Sequence, residues 1–292
     1  MSGHITRFAP SPTGYLHLGH AYAAIYAAAA ALDTGGKFLV RIEDTDQARC
    51  RVEFEIAIEE DLHWLGLSWE RPARRQSAHF SDYNGALEKL KAMGCAYPCF
   101  CSRKEIEAEF AASVGAPQGP EGPLYPGTCK TLGAGHRHER IARGEAHAWR
   151  MDVAKAQAIL GRTLSFEERG EGPNGERGRI EVHSENYGDF VLARKDAPAS
   201  YHLAVTVDDA IQGVTMVTRG NDLFPSTHLH RLLQELLGLP QPLYNHHRLV
   251  RDEFGRRLAK RDQSTSLRQL RAQGMRVVQV YELLGLTSRS DR

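Results

Sequence analysis

Apolar and polar positions follow two different periods along this chain, and the changes of period mark its elements. Ile5–Ala9 predicts a short strand. Pro10-Ser11-Pro12-Thr13-Gly14 closes it as a turn, because two prolines restrict φ and the glycine permits a positive one. Leu18–Leu32 is rich in alanine and predicts a long helix, ended by Asp33-Thr34-Gly35-Gly36. Lys37–Ile42 predicts the next strand. Strand, loop, long helix and strand form a βαβ unit, which implies a parallel sheet with a right-handed crossover.

Phe54, Ile58, Leu62 and Leu65 recur at helical spacing and predict a helix over Glu53–Leu65. Tyr83, Leu87 and Leu90 do the same for Phe80–Met93. Ala96–Cys101 reads as a strand, and Ser102 with Glu105 as a capping box for a helix reaching Ala112. Gly115–Gly127, dense in Gly and Pro, reads as a loop. Ala146–Val153, Arg179–Val182, Phe190–Lys195 and Tyr201–Val207 read as strands, with Leu164–Arg179, rich in Gly and Glu, separating two of them. Val214–Thr218 predicts a strand, Thr227–Leu237 an amphipathic helix, and Ser264–Leu286 a helical stretch. The order is a βαβ half over residues 1–95, an insertion over 96–195 and a second αβ half over 196–292. An α/β fold with a doubly wound parallel sheet split by an inserted α+β subdomain fits that order.

Composition narrows the classes. Of 292 residues, 41% are hydrophobic, enough to build cores. Lys+Arg number 37 against 36 Asp+Glu, a net charge of +1, which excludes a polybasic arm, an acidic tail and a disordered composition. Nucleic acid stays open as a partner, since a neutral chain can gather its basic residues on one face. The longest apolar run, Ala21–Leu32, is shorter than the ~20 residues a membrane span needs, so no membrane partner is expected. Five cysteines without an export pattern point to the cytoplasm, with thiols reduced or bound to metal.

His17-Leu18-Gly19-His20 stands at the start of the first long helix. Unpaired N–H groups there suit phosphate, Gly19 permits close approach, and imidazole N–H groups can donate to phosphate oxygens. In its setting, Arg7-Phe8-Ala9-Pro10-Ser11-Pro12-Thr13-Gly14-Tyr15-Leu16-His17-Leu18-Gly19-His20, this stretch resembles the signature of class I glutamyl-tRNA synthetases. Arg41-Ile42-Glu43-Asp44-Thr45-Asp46, Tyr201-His202-Leu203-Ala204 with Asp208-Asp209, and Val217–Leu223 resemble further motifs of that family. The dinucleotide fingerprint Gly-x-Gly-x-x-Gly is absent. Arg256-Arg257-Leu258-Ala259-Lys260-Arg261 falls where the family carries a Lys-Met-Ser-Lys-Ser loop, and there only the second lysine, Lys260, is retained.

The resemblance implies the Rossmann-type sheet of class I synthetases, ATP with Mg²⁺ as cosubstrate, and L-glutamate as the activated amino acid. It implies that His17, Gly19, His20 and Lys260 hold the ATP phosphates. It implies that Arg7, Ser11, Glu43, Tyr201 and Arg219 bind glutamate, guanidinium to carboxylate and carboxylate to ammonium. No side-chain nucleophile is required.

Cys99-Phe100-Cys101 and Cys129 can supply most of a tetrahedral zinc site, although Cys-x-Cys is a less typical spacing. The spacing leaves the fourth ligand open among Tyr125, a water and His136, with His138 also near. A shortened branch of the family, which attaches glutamate to queuosine in tRNA(Asp), carries one structural zinc on three Cys and a Tyr. The resemblance to it implies Cys99, Cys101, Tyr125 and Cys129 here.

The chain ends soon after Lys260, where full glutamyl-tRNA synthetases continue into anticodon-reading domains, so no such domain is expected. The expected activity is tRNA-independent activation of glutamate, then transfer to the cyclopentenediol of queuosine in tRNA(Asp), by a monomer. Arg71, Arg74, Arg75, Arg137, Arg140 and Arg143 are candidates for RNA contacts. The alternatives are a synthetase that charges a tRNA 3′ end, an inactive zinc-containing RNA-binding paralogue, and a pantothenate synthetase-like ligase.

Overall fold

The computed structural model describes residues 3–112, 118–119, 122–250 and 265–286. Its first half runs β1 (Ile5–Phe8), α1 (Leu18–Leu32), β2 (Lys37–Ile42), α2 (Val52–Trp64), β3 (Glu70–Arg75) and α3 (Phe80–Ala92). The middle carries β4 (Ala96–Cys99), α4 (Arg103–Ala112), the short pair β5 (Gln118–Gly119) and β6 (Gly122–Pro123), α5 (Ala134–Ala142), β7 (Ala148–Met151), α6 (Val153–Leu160), β8 (Ser165–Glu168), β9 (Gly178–Glu181) and β10 (Val191–Ala193). The last part holds α7 (Tyr201–Ile211), β11 (Met216–Gly220), α8 (Phe224–Leu237), β12 (Leu243–His247), α9 (Leu267–Ala272) and α10 (Val277–Leu283).

The strands β1, β2 and β3 are parallel, with Arg7 opposite Leu39 and Arg41 opposite Arg74. Strands β11, β12 and β8 are also parallel, and β9 joins β8 antiparallel. The two sheets meet where Thr215 N donates to Ile5 O at 3.0 Å and Ile5 N donates to the Thr215 hydroxyl at 2.9 Å. The strand order therefore reverses at β1 and β11, as in a doubly wound fold. A separate antiparallel sheet, β4-β7-β10, forms in the middle segment.

Alanine at Ala21, Ala24, Ala27, Ala28 and Ala31 lets α1 lie close on the sheet, and all five are buried. The approach is near enough for the Thr6 hydroxyl of β1 to donate to Ala27 O at 2.7 Å. This core continues through Phe8, Phe38, Val40, Ile58 and Leu62 to Leu267, Leu270 and Val280 of the C-terminal helices. A second core gathers Phe166, Leu192, Leu203, Leu229 and Leu233 around α7 and α8. No helix among the described residues is long and apolar enough to cross a membrane.

Several expectations need correction. Tyr201–Val207 is the start of helix α7, not a strand. The Ser200 hydroxyl caps it by accepting from Leu203 N, and every residue from Leu203 to Asp209 is buried. A helix enclosed on all sides loses its amphipathic period and reads like a strand. Ala146–Val153 divides into β7 and then α6, which Asp152 caps by accepting from Lys155 N. Ser264–Leu286 holds two short helices, α9 and α10, separated at Gly274, whose φ is +83°. Ser264 itself lies outside the described residues. Strands β3 and β12 carry no clear apolar period, and they and helix α5 were not expected. Strands β8 and β9, from within 96–195, extend the sheet of the second half, so that segment is not a self-contained insertion.

Beneath the sheet junction lies a buried ionic network. The Arg41 side chain has no exposure. Its Nη1 donates to Asp209 Oδ1 at 2.7 Å and its Nη2 to Glu43 Oε1 at 3.1 Å, while Nε stands 3.7 Å from Asp208 Oδ2. Asp208 accepts further from Arg74 Nε at 2.7 Å, Gln76 at 2.9 Å and the Tyr83 hydroxyl at 2.8 Å. One helix, α7, is thereby tied to β2, β3 and α3. Breaking a buried pair strands a charge, so Asp208→Ala is expected to lower the unfolding free energy by ~3–5 kcal/mol in chemical denaturation. Glu53→Ala, which removes a surface pair with Arg51, should cost less than ~1 kcal/mol in the same measurement.

Candidate active site

The carboxyl ends of β1, β2, β11 and β12 converge on a cavity of about 600 Å³ with the N-terminus of α1 at its edge. Such a cleft, at the point where strand order reverses, is where open α/β sheets bind ligands. Arg7, Ser11, His17, Gly19, His20, Glu43, Tyr201 and Arg219, eight residues expected from the sequence, all line it. Lys260, with Arg256, Arg257, Ala259 and Arg261, lies outside the described residues.

Helix α1 is capped by its own histidines. His17 Nδ1 accepts from Gly19 N at 3.1 Å, and His20 Nδ1 accepts from His17 N at 3.2 Å. A neutral imidazole that accepts at Nδ1 carries its proton on Nε2. The capping box therefore sets both rings, 3.9 Å apart between centroids, as Nε2–H donors at a helix N-terminus. Donors so placed suit an anion.

The two arginines of the cleft differ in their compensation. Arg7 donates from Nε to Asp209 Oδ1 at 2.9 Å and from Nη1 to Thr218 O at 3.0 Å, and Asp209 is shared with Arg41. Both arginines hold the Asp209 carboxyl below its ordinary range against the upward push of burial. Arg219 is as deeply buried, at 6% exposure, and contacts no carboxylate among the described residues. It donates to Thr227 Oγ1 at 2.7 Å, His246 Nε2 at 3.1 Å and Tyr201 Oη at 3.3 Å, with His230 Nδ1 at 3.2 Å. Glu43, across the cleft, is pushed up by burial and pulled back by Arg41 and Arg7. An anion-seeking guanidinium facing a carboxylate suits a zwitterionic ligand with a further carboxylate.

In the middle segment, Cys99, Cys101 and Cys129 bring three thiol sulfurs within 4.8 Å of one another. Tetrahedral zinc with bonds of about 2.3 Å to sulfur places sulfurs roughly 3.8 Å apart and a phenolate oxygen about 3.5 Å from each. Cys101 and Cys129 sulfurs are 3.4 Å apart, and Tyr125 Oη is 3.4 Å from Cys99 Sγ and 3.6 Å from Cys101 Sγ. The donor set fits the ion. His136 and His138 sit on exposed turns of α5 and are not part of the cluster.

The arginines expected to contact RNA also have partners within the protein. Arg74 is held by Asp208 and Asp82, Arg75 by Asp44 and Glu55, and Arg71 by Glu59 and the Trp69 ring. Arg137 donates to Lys130 O and covers Tyr97, and Arg140 pairs with Glu145 above the Phe100 ring. Arg143 pairs with Glu139 at the surface. Sequence reasoning left Arg41, Asp208, Asp209, Glu168, Thr227, His230 and His246 without roles. For the aspartates the signal was present: two adjacent acids inside an otherwise apolar run need buried cations.

Residues 5–292 match the family model described as "tRNA synthetases class I (E and Q), catalytic domain". A glutamyl-Q tRNA(Asp) synthetase of Rhodobacter capsulatus is 48% identical over 287 residues, 97% of this chain and 100% of that protein. A glutamate–tRNA ligase of Aquifex aeolicus is 39% identical over 271 residues, 92% of this chain and 54% of that one. The crystal structure of a glutamate–tRNA synthetase from Elizabethkingia anophelis superposes with a TM-score of 0.73 at 29% identity, covering 89% of this chain and 53% of that one. This chain thus spans about half the length of those two ligases. A methionyl-tRNA synthetase from Mycobacterium tuberculosis, at 15% identity and a TM-score of 0.59, shares the fold.

Burial lowers the pKa of five histidines in the second half of the molecule. His202, His228 and His246 are pushed down to about 4, His230 lies well below its ordinary value, and His247 is lowered. Each takes up a proton in the unfolded chain before it does so in the folded one, so each withdraws stability as pH falls from about 6.5 towards 4. Asp61, pushed up to about 6 by burial, and Glu43, also raised, act in the opposite sense, whereas carboxyls held below their ordinary range, Asp209 and Glu168 among them, act with the histidines. Urea unfolding is therefore expected to show a lower midpoint at pH 5 than at pH 7. The pH dependence should be shallower in His228→Asn, which removes one of the five.

Proposed function

We propose, for a chain that belongs to the family of class I tRNA synthetase (E and Q) catalytic domains and is an ATP-dependent ligase, a reaction that joins L-glutamate to the cyclopentenediol of queuosine in tRNA(Asp). The observation that carries the glutamate reading is the contrast within the cleft: among the described residues Arg219 is a buried cation without an acid partner, and Glu43 stands opposite as a carboxylate. A second carboxylate on the amino acid supplies what Arg219 lacks, and Glu43 receives the ammonium.

In the first step a carboxylate oxygen of glutamate attacks the α-phosphorus of ATP–Mg²⁺, forming glutamyl-adenylate and releasing pyrophosphate. The chain supplies no nucleophile. Arg7, Ser11, Tyr201 and Arg219 orient the amino acid, and the Nε2–H groups of His17 and His20 donate to phosphate oxygens as charge builds on them. Gly19, without a side chain, admits the nucleotide to the helix N-terminus. Lys260 adds a cationic clamp on the phosphates. In the second step a hydroxyl of the cyclopentenediol attacks the activated carbonyl, and AMP leaves. That diol presents the same cis-hydroxyl pair on a five-membered ring as a ribose end, so one site can serve it.

The acceptor reading is supported by the match to the R. capsulatus protein along its entire length at 48% identity, against 39% over half of the A. aeolicus ligase. Zinc belongs to the same reading. Cys99, Cys101, Cys129 and Tyr125 would hold one ion that braces the corner between β4 and the segment preceding α5. Its role is structural, because the four donors close the tetrahedron.

Pyrophosphate exchange tests the first step. Exchange with glutamate in the absence of tRNA, followed by labelling of queuosine-containing tRNA(Asp), is the expected result. Exchange that requires tRNA, with the label at a 3′ end, would identify a conventional charging enzyme instead. Metal analysis of the purified protein should find one zinc per chain. Cys101→Ser is expected to lower that content and the melting temperature together, whereas Cys50→Ser should alter neither.

A further inference from the structure

Among the described residues Arg219 meets no carboxylate, and a definite set of hydrogen bonds holds it. Glu168 is buried at the end of β8, and its side chain has no exposure. Its Oε1 accepts from His246 N at 2.9 Å and from Gly170 N at 2.8 Å. Its Oε2 lies 2.6 Å from His246 Nδ1. A carboxylate acceptor there places the ring proton on Nδ1 and leaves Nε2 as an acceptor, which is where Arg219 Nε donates at 3.1 Å. The second branch has the same logic. Arg219 Nη1 meets His230 Nδ1 at 3.2 Å, and His230 Nε2 meets His202 Nδ1 at 3.2 Å. Both rings beside the guanidinium are therefore neutral acceptors. They hold its plane without cancelling its charge, whereas Asp209 does cancel the charge of Arg7.

We propose that Glu168 and His246, with His230 as the second branch, are positioning residues that set Arg219 as a carboxylate-selecting cation, and so determine the preference of this cleft for an acid over its amide. The proposal rests on the glutamate reading above. A carboxylate ligand gains a full charge-assisted pair with Arg219. A carboxamide presents one acceptor and an NH₂ that opposes the guanidinium donors. Had a carboxylate stood in place of either ring, Arg219 would already be paired and the distinction would weaken. Burial, with Arg219 beside them, keeps His246 and His230 neutral, in agreement with the geometry.

Glu168→Gln is the informative change, because it is isosteric yet reverses one hydrogen bond. With Oε1 still accepting from the two backbone N–H groups, the new NH₂ faces His246 Nδ1. The ring proton then moves to Nε2, donor against donor with Arg219. In pyrophosphate exchange the KM for glutamate is expected to rise about tenfold or more with a smaller change in kcat, and the glutamate-over-glutamine preference to fall with it. The KM for ATP should stay near the wild-type value. His246→Gln keeps a carbonyl for Arg219 and an NH₂ for Glu168, and should recover most of the preference that Glu168→Gln loses. A merely structural role would instead lower the melting temperature and move the KM for ATP equally.

Nitrogen-15 spectra of the histidine rings give a readout independent of activity. His246 protonated on Nδ1 in the wild type, and on Nε2 in Glu168→Gln, is the expected pattern. A wild-type ring protonated on Nε2, or a folded Glu168→Gln with unchanged KM and preference, overturns the proposal. Absence of glutamate-dependent exchange in the wild type would instead defeat the functional reading, and the ring tautomers together with calorimetric titration of glutamate would still decide the relay.

Discussion

A guanidinium with no access to water has to be answered by the structure around it, and Arg41 is answered by Asp209, Glu43 and Asp208 at once. These partners come from β2 and α7, and Asp208 carries the connection on to Arg74, Gln76 and Tyr83. The geometry of the cleft follows from this one charge. Asp209, shared between Arg41 and Arg7, sets where Arg7 stands at the end of β1. Glu43, drawn towards Arg41, is held at the end of β2 facing the cavity. A buried charge cluster of this kind is poor value as pure stability, since hydrophobic replacements can do as well, but it specifies one arrangement and penalises others.

Against that compensated group, the Arg219 side of the cleft shows the contrary design. Its partners are hydroxyls and imidazoles, and burial keeps those imidazoles neutral. The result is a cleft with one neutralised arginine and one that is not, a few side chains apart. The histidines at the N-terminus of α1 are neutral for a different reason. Their Nδ1 atoms accept backbone N–H groups, so Nε2 retains the proton. In both places the hydrogen-bond partner of one ring nitrogen decides what the other can do.

The thiol corner is separate from the cleft chemistry and belongs to the middle segment. Arg140 above Phe100 and Arg150 above Tyr125, 4.1 and 3.9 Å from the ring centroids, pack the outside of that corner. Arg140, one of the candidates for RNA contact, thus also braces protein structure. The amphipathic stems and planar heads of both arginines suit that role.

Much of this protein was legible from the chain alone. The long helix Leu18–Leu32, the flanking strands and the parallel doubly wound order follow from helix propensity, turn residues and the order of elements, and eight of the residues lining the cleft were marked by motifs that resemble those of a known family. The three cysteines were legible from their spacing and Tyr125 from the resemblance, and the structure sets the Tyr125 hydroxyl 3.4 Å from Cys99 Sγ. What only the tertiary structure decided is charge state and partnership. Arg7 and Arg219 look alike in sequence, yet one meets Asp209 and the other meets neutral rings contributed by α8 and β12. Those partners lie far along the chain, and their effect depends on distances of about 3 Å inside a medium of low polarity, which no local pattern encodes. The same reason explains α7: enclosed on every side, it lost the period that would have announced a helix, and only packing shows what its two aspartates are for.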